Sequence, residues 1–206
     1  MARHSKVAQL ALCASEVEDF AMIKRLFPLL PLLFLVACGS AQLPPVSLSE
    51  FDRLEAKILA MGPKVSAEEA ARATRVALLY SRHLRMQYRV TDGPLIHNAK
   101  VNTGTRPRGL CWHWAEDLQK RLSEENFETL DLHRAIANSD LPLRIDHSTV
   151  LISAAGAKMV DAIVLDPWRF GGLLYFGTLA EDKRYRWLPQ TEVLRKRAVN
   201  QVLEGW

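Results

Sequence analysis

The sequence predicts an α+β domain, with N-terminal helices packed on an antiparallel β-sheet. Three observations predict it. Apolar residues recur at helical spacing from residue 47 to about residue 124. Short extended runs bounded by turn residues follow, up to about residue 188. Helices first and strands after is the order of an α+β domain rather than of alternating βαβ units.

Each element follows from local chemistry. Ser47 or Ser49 can cap a first helix running to about Met61, with Phe51, Leu54, Ile58 and Leu59 on one side. Gly62-Pro63 ends it. Ser66 and Glu69 have the spacing of a capping box for a second helix to about Tyr88, whose inner face carries Ala70, Ala73, Ala77, Tyr80 and Leu84. Residues 91–110 read as a long loop, marked by Gly93-Pro94, Gly104, Pro107 and Gly109. Cys111 opens a third helix to about Glu124, with Trp114, Ala115, Leu118 and Leu122 facing inward. Extended runs follow at Glu128–Ala135, Arg144–Ser153, Met159–Leu165, Leu173–Gly177 and Tyr185–Leu188, and Gly156 marks a tight turn between the second and third. A short helix from Thr191 to Leu203 closes the chain.

The front of the chain carries a different signal. Lys24 and Arg25 precede an apolar run, Leu26 to Val36, that contains two prolines and ends in Leu35-Val36-Ala37-Cys38-Gly39-Ser40. The run is too short for a transmembrane helix, which needs roughly 20 apolar residues. It resembles a bacterial lipoprotein signal peptide with its lipobox, residues 22–37. The resemblance implies cleavage before Cys38, acylation at that thiol, and a membrane partner reached through that lipid anchor. Two acyl chains suffice for stable anchoring. Residues 1–21 carry mixed charge ahead of Met22 and read as an over-extended N-terminus. Residues 38–46, with Pro44-Pro45, read as the lipidated cysteine and its tether, and residues 47–206 as one domain. Gly39, after the acylated cysteine, favours the outer membrane, facing the periplasm.

A formal net charge of +4 and a quarter of charged residues are ordinary for a globular protein. No basic stripe with interleaved aromatics points to nucleic acid. No phosphate-binding loop, dinucleotide fingerprint or cluster at metal-ligand spacing appears, so neither cofactor nor metal is expected. The three cysteines are Cys13, Cys38 and Cys111. With Cys38 acylated, Cys111 is the one free thiol of the mature chain, in an oxidising compartment where small disulfides are common.

Cys111 lies in Arg108-Gly109-Leu110-Cys111-Trp112-His113-Trp114-Ala115. Two features favour its thiolate: a position at a helix N-terminus and available histidines. His113 sits two residues along the same helix and points elsewhere, so it reads as a surface or packing residue. His83, His97 and His133 are weaker partners by position. His147 lies on an extended run that is followed across the Gly156 turn by a second run ending at Asp166, and antiparallel pairing brings the two side by side. Asp166 then orients the ring as the third member of a triad does. Asp146 faces the other way. Asp166 equally fits a turn residue before Pro167, and His147 a half-buried structural histidine.

The Gly109-to-Ala115 segment is similar to the Gly-x-Cys-x-x-aromatic-Ala segment of transglutaminase-like domains. The resemblance covers about residues 75–190 and implies a transglutaminase-like, papain-like core with catalytic Cys111, His147 and Asp166. It implies a cysteine peptidase, amidase or acyltransferase acting on a peptide or protein substrate in the cell envelope, or an inactive binding module on the same fold. The chain also resembles proteobacterial lipoproteins with related segments at His97-Asn98, Val101-Asn102-Thr103-Gly104, Arg108–Trp114 and Leu165–Arg169. Asn98 or Asn102 can supply an oxyanion donor from the 91–110 loop. Arg169, with Gly171-Gly172, can line a cleft and meet a substrate carboxylate, and equally fits a surface arginine in a flexible turn.

Overall fold

The computed structural model describes residues 43–204. The signal, the lipobox cysteine and the over-extended N-terminus expected above lie outside the described residues. No helix among the described residues is long and apolar enough to cross a membrane.

Among the described residues, five α-helices and five strands make an α+β arrangement. Helix α1 spans Leu48–Leu59, α2 Ala67–Gln87, α3 Pro94–Asn102 and α4 Cys111–Ser123. Strands β1 Leu130–Ala137, β2 His147–Ala154, β3 Ile163–Phe170, β4 Leu173–Thr178 and β5 Trp187–Pro189 follow, and α5, Gln190–Glu204, comes last. The sheet is antiparallel in the order β4-β3-β2-β1-β5. Consecutive strands are neighbours in the sheet except one pair: residues 179–186 run from β4 at one edge to β5 at the other.

The capping box lies on a different helix from the one the sequence predicts. The reciprocal one belongs to α1, where Ser47 and Glu50 bond each other's backbone N–H. At α2 Ser66 Oγ accepts from the Glu69 N–H, but the Glu69 carboxylate does not return to Ser66. It is buried and accepts instead from the Glu128 and Thr129 N–H groups and the Thr129 hydroxyl, tying α2 to the entry of β1. The expected loop at 91–110 contains α3. Gly93 is its N-cap and Pro94 its first residue, where a missing N–H costs nothing and the fixed φ suits a helix.

The main core lies between the helices and one face of the sheet. Leu54, Ile58, Ala70, Ala73, Ala77, Leu84, Trp114, Leu118 and Leu122 pack there against Val150, Ile152, Ile163 and Leu165. Burying the three large side chains of α4 contributes about 1.5–3 kcal/mol each and fixes the helix that begins with Cys111. A smaller core, with Ala135, Ala137, Leu151, Val164 and Trp187, fills the other face. Leu179 and Tyr185 of the crossing segment pack on it. Strand β2 is therefore buried on both faces, which explains its lack of polar alternation.

Candidate functional site

Helix α4 starts at Cys111 because its first turn is capped from within. His113, its third residue, accepts from the N–H groups of Gly109 and Leu110 at Nδ1, 3.1 and 3.2 Å away. Nδ1 must then be bare. Burial first, and the Arg108 charge second, push the His113 pKa down and keep the ring neutral. His113 is buried, not on the surface. Its role is to hold the turn that presents Cys111.

That turn is held from the other side by His97. Its Nε2–H donates to the Arg108 carbonyl at 3.0 Å, and its ring fills the space beside Gly109. Gly109 has φ +127°, and a Cβ there would lie 2.2 Å from His97 Nε2, so only glycine fits. Trp114 Nε1–H closes the turn by donating to the Gly109 carbonyl.

Cys111 is buried, and its Sγ–H donates to the carbonyl of Asp146 at 3.4 Å. The thiol thus lies against the residue that introduces His147. The Asp146 carboxylate points away and pairs with Arg197 on α5 at 2.5 Å. Strand pairing sets Thr149 one register step from the Val150–Leu165 pair, which places His147 and Asp166 on the same face. His147 Nε2–H donates to Asp166 Oδ2 at 2.6 Å. Nδ1 is then the free ring nitrogen, and it is buried with no hydrogen-bond partner among the described residues.

Burial of His147 opposes its charging. The Asp166 charge and hydrogen bond outweigh this, and the Cys111 side chain adds to them, so the pKa rises from 6.5 to about 9. For Asp166, burial raises the pKa, but His147 and then Arg169 overcome it and hold the carboxyl below its ordinary range. The signs give a pH window. His147 binds its proton more tightly folded than unfolded, so its stabilisation is complete below about pH 6.5 and disappears as pH climbs through about 9. Asp166 contributes in the opposite sense, above about pH 3.8, and is lost in acid. The thermal midpoint is expected to fall between pH 6.5 and 9, and His147→Gln to flatten that fall in a calorimetric pH series.

Asp166 is fully buried and reached by more than the imidazole. The Arg169 Nε–H and backbone N–H donate to it at 3.0 and 3.2 Å. The Arg169 guanidinium then forks onto Asp182, at 3.1 and 2.6 Å, and stacks on Tyr175 at 3.7 Å. Asp182 also accepts from the Trp187 indole N–H and the Arg184 backbone. Imidazolium, carboxylate, guanidinium and carboxylate alternate in one buried row whose charges sum to zero. Trp168, Tyr185 and Trp187 pack on the His147 ring at centroid distances of 4.6, 4.7 and 5.2 Å.

Sequence reasoning placed Arg169 in a cleft, available to a substrate carboxylate. It is buried, and two carboxylates of its own chain hold it. Gly171-Gly172 form the β3–β4 turn against Arg85 rather than a cleft wall. Asn102 is exposed at the end of α3. Asn98 is buried on α3 rather than carried on a loop, and its Oδ1 accepts from Trp168 Nε1–H at 3.1 Å. That bond joins α3 to the strand bearing Asp166 and leaves Nδ2 as the donor end of the amide. His133 bonds Ser153, and His83 stacks on Tyr80 at the surface.

Asp182, Tyr185 and Trp187 escaped sequence reasoning, since a charged turn read linearly gives no sign that it folds over a strand. Arg134 escaped too. It is half-buried on β1 and donates to Ser148 Oγ, beside His147, at 3.0 Å. Comparison with protein-family profiles, curated proteins and solved structures returns no match.

Proposed function

We propose that this chain is a cysteine-dependent acyl-transfer enzyme on a transglutaminase-like core, anchored in the bacterial envelope through Cys38. One observation carries the reading. His147 is bonded through Nε2 to a fully buried Asp166, its Nδ1 is buried without a partner, and the side chain of Cys111, at a helix N-terminus, is close enough to favour the ring's charged form. An imidazolium and a helix N-terminus both favour thiolate, the nucleophilic form.

The chemistry follows from the groups. The Cys111 thiolate attacks the carbonyl carbon of a peptide amide, and the carbonyl electrons move to oxygen. The Cys111 N–H lies in the first helical turn, where donors lack intrahelical acceptors. With Asn98 Nδ2 it offers hydrogen bonds to that oxyanion. As the C–N bond breaks, His147 gives its proton to the leaving amine. Water then attacks the thioester, His147 takes its proton, and the acid leaves with Cys111 regenerated. An amine in place of water gives transfer instead of hydrolysis. Asp166 stays ionised throughout and orients the ring.

A second reading, a non-catalytic module binding an envelope protein or cell-wall peptide, is favoured by the thiol itself. Cys111 is 7% exposed and its S–H is spent on Asp146 O, as in a structural cysteine. Alkylation of the full-length chain, read by mass spectrometry on the peptide containing Cys111, decides between them. The catalytic reading expects a rate nearly level from pH 6 to 8. A slow rate rising about tenfold per pH unit, as for an ordinary thiol with a pKa near 8.5, would leave only the binding module.

A further inference from the structure

We propose that the groove between the β1–β2 connection and the crossing segment 179–186 binds a carboxylate-rich peptide segment. This rests on the acyl-transfer reading where it names that reading's substrate class. The groove has a volume of about 760 Å³, within the range of ligand sites. Its lining includes Arg144, Lys183, Arg184, Arg186, Asp140 and Asp182.

The charges do not balance. Asp140 is taken by Arg186, and Asp182 by Arg169. Arg144, Lys183 and Arg184 are exposed and have no carboxylate partner among the described residues; the Lys183 ammonium donates only to the Ala180 carbonyl. Three uncompensated cations around one concavity select an anion, and planar guanidinium groups match carboxylates two bonds at a time. The concavity is also placed by the site. Tyr185 and Trp187 line it and pack on the His147 ring, so a segment lying there is one aromatic layer from the imidazole. Leu141 adds an apolar rim. A concave groove with aromatic walls suits an extended chain better than a flat lipid surface.

The test uses the full-length chain in non-ionic detergent and a fluorescein-labelled hexapeptide alternating glutamate and alanine. Saturable anisotropy is expected, weakened at least about tenfold by Arg144→Ala/Lys183→Ala/Arg184→Ala and by about 0.5 M salt. A lysine–alanine hexapeptide is expected not to bind. Circular dichroism checks that the triple variant, altered only at exposed side chains, stays folded. Binding in a Cys111→Ser background is expected to match the native chain, so the groove can stand even where the thiol proves inert. Equal binding of both peptides, or undiminished binding by the triple variant, overturns the proposal. So does no peptide binding with variant-sensitive transfer into phosphatidylglycerol-doped micelles, which assigns the cations to lipid.

Discussion

Replacing His147 with alanine is expected to slow alkylation of Cys111 about tenfold at pH 6. Two effects of opposite sign set that size. An ordinary thiol is well under 1% ionised at pH 6, whereas a thiolate paired with imidazolium is mostly ionised, so the variant loses about two orders of magnitude in thiolate. The thiolate that does form is more basic and more nucleophilic, with a Brønsted slope near 0.4–0.5, which returns about one order. The difference therefore shrinks by about tenfold per pH unit, and the rates are expected to cross at about pH 7, with the variant faster above. Parallel curves at every pH would show that His147 shapes access to Cys111 rather than its charge.

Asp182→Ala is expected to lower stability by about 3–5 kcal/mol, the usual cost of breaking a buried ion pair from one side: Arg169 keeps Asp166, but that carboxylate already serves His147, so one buried cation is left uncompensated. A domain's whole stability is about 5–15 kcal/mol, so the variant should stand near the edge of folding in a urea titration. The Arg169 charge is the cause, since its side chain is 4% exposed and its fork onto Asp182 holds both ends of the guanidinium. Removing both charges, as Arg169→Met/Asp182→Leu, is expected to recover part of the loss, because apolar replacements of a buried pair are often neutral or better. A double variant no more stable than Asp182→Ala would point to lost packing on Tyr175 and Trp187 instead.

What the sequence makes legible is periodic or local. The inner faces of α2 and α4 follow from helical spacing, and Ala70, Ala73, Ala77, Trp114, Leu118 and Leu122 are buried. His147 beside Asp166 follows from two runs joined across the Gly156 turn, because antiparallel pairing dictates neighbours. The place of Cys111 follows from the helix start there. What stays hidden is long-range. Helix α3 was masked by Gly93-Pro94, which punctuates a loop as readily as it begins a helix. Glu69 has capping-box spacing, but its carboxylate goes to residues 128 and 129. Arg169 resembles a cleft arginine until a carboxylate 13 residues downstream is folded onto it. No linear pattern marks Asp182, because it is carried by a segment crossing the full width of the sheet and meets Arg169 of β3 only in the fold.

That crossing segment also sets an order of events during synthesis. Cys111, His147 and Asp166 all leave the ribosome before residues 179–187 do. Until that stretch has been extruded and laid across the sheet, Arg169 lacks its outer carboxylate, and the His147 ring lacks Tyr185 and Trp187. An unfinished chain therefore carries the thiol without the surroundings that tune its base. The stretch from Asp182 onward works as a completion check: a chain truncated before it holds Cys111, His147, Asp166 and Trp168 but lacks the Asp182, Tyr185 and Trp187 that close over them.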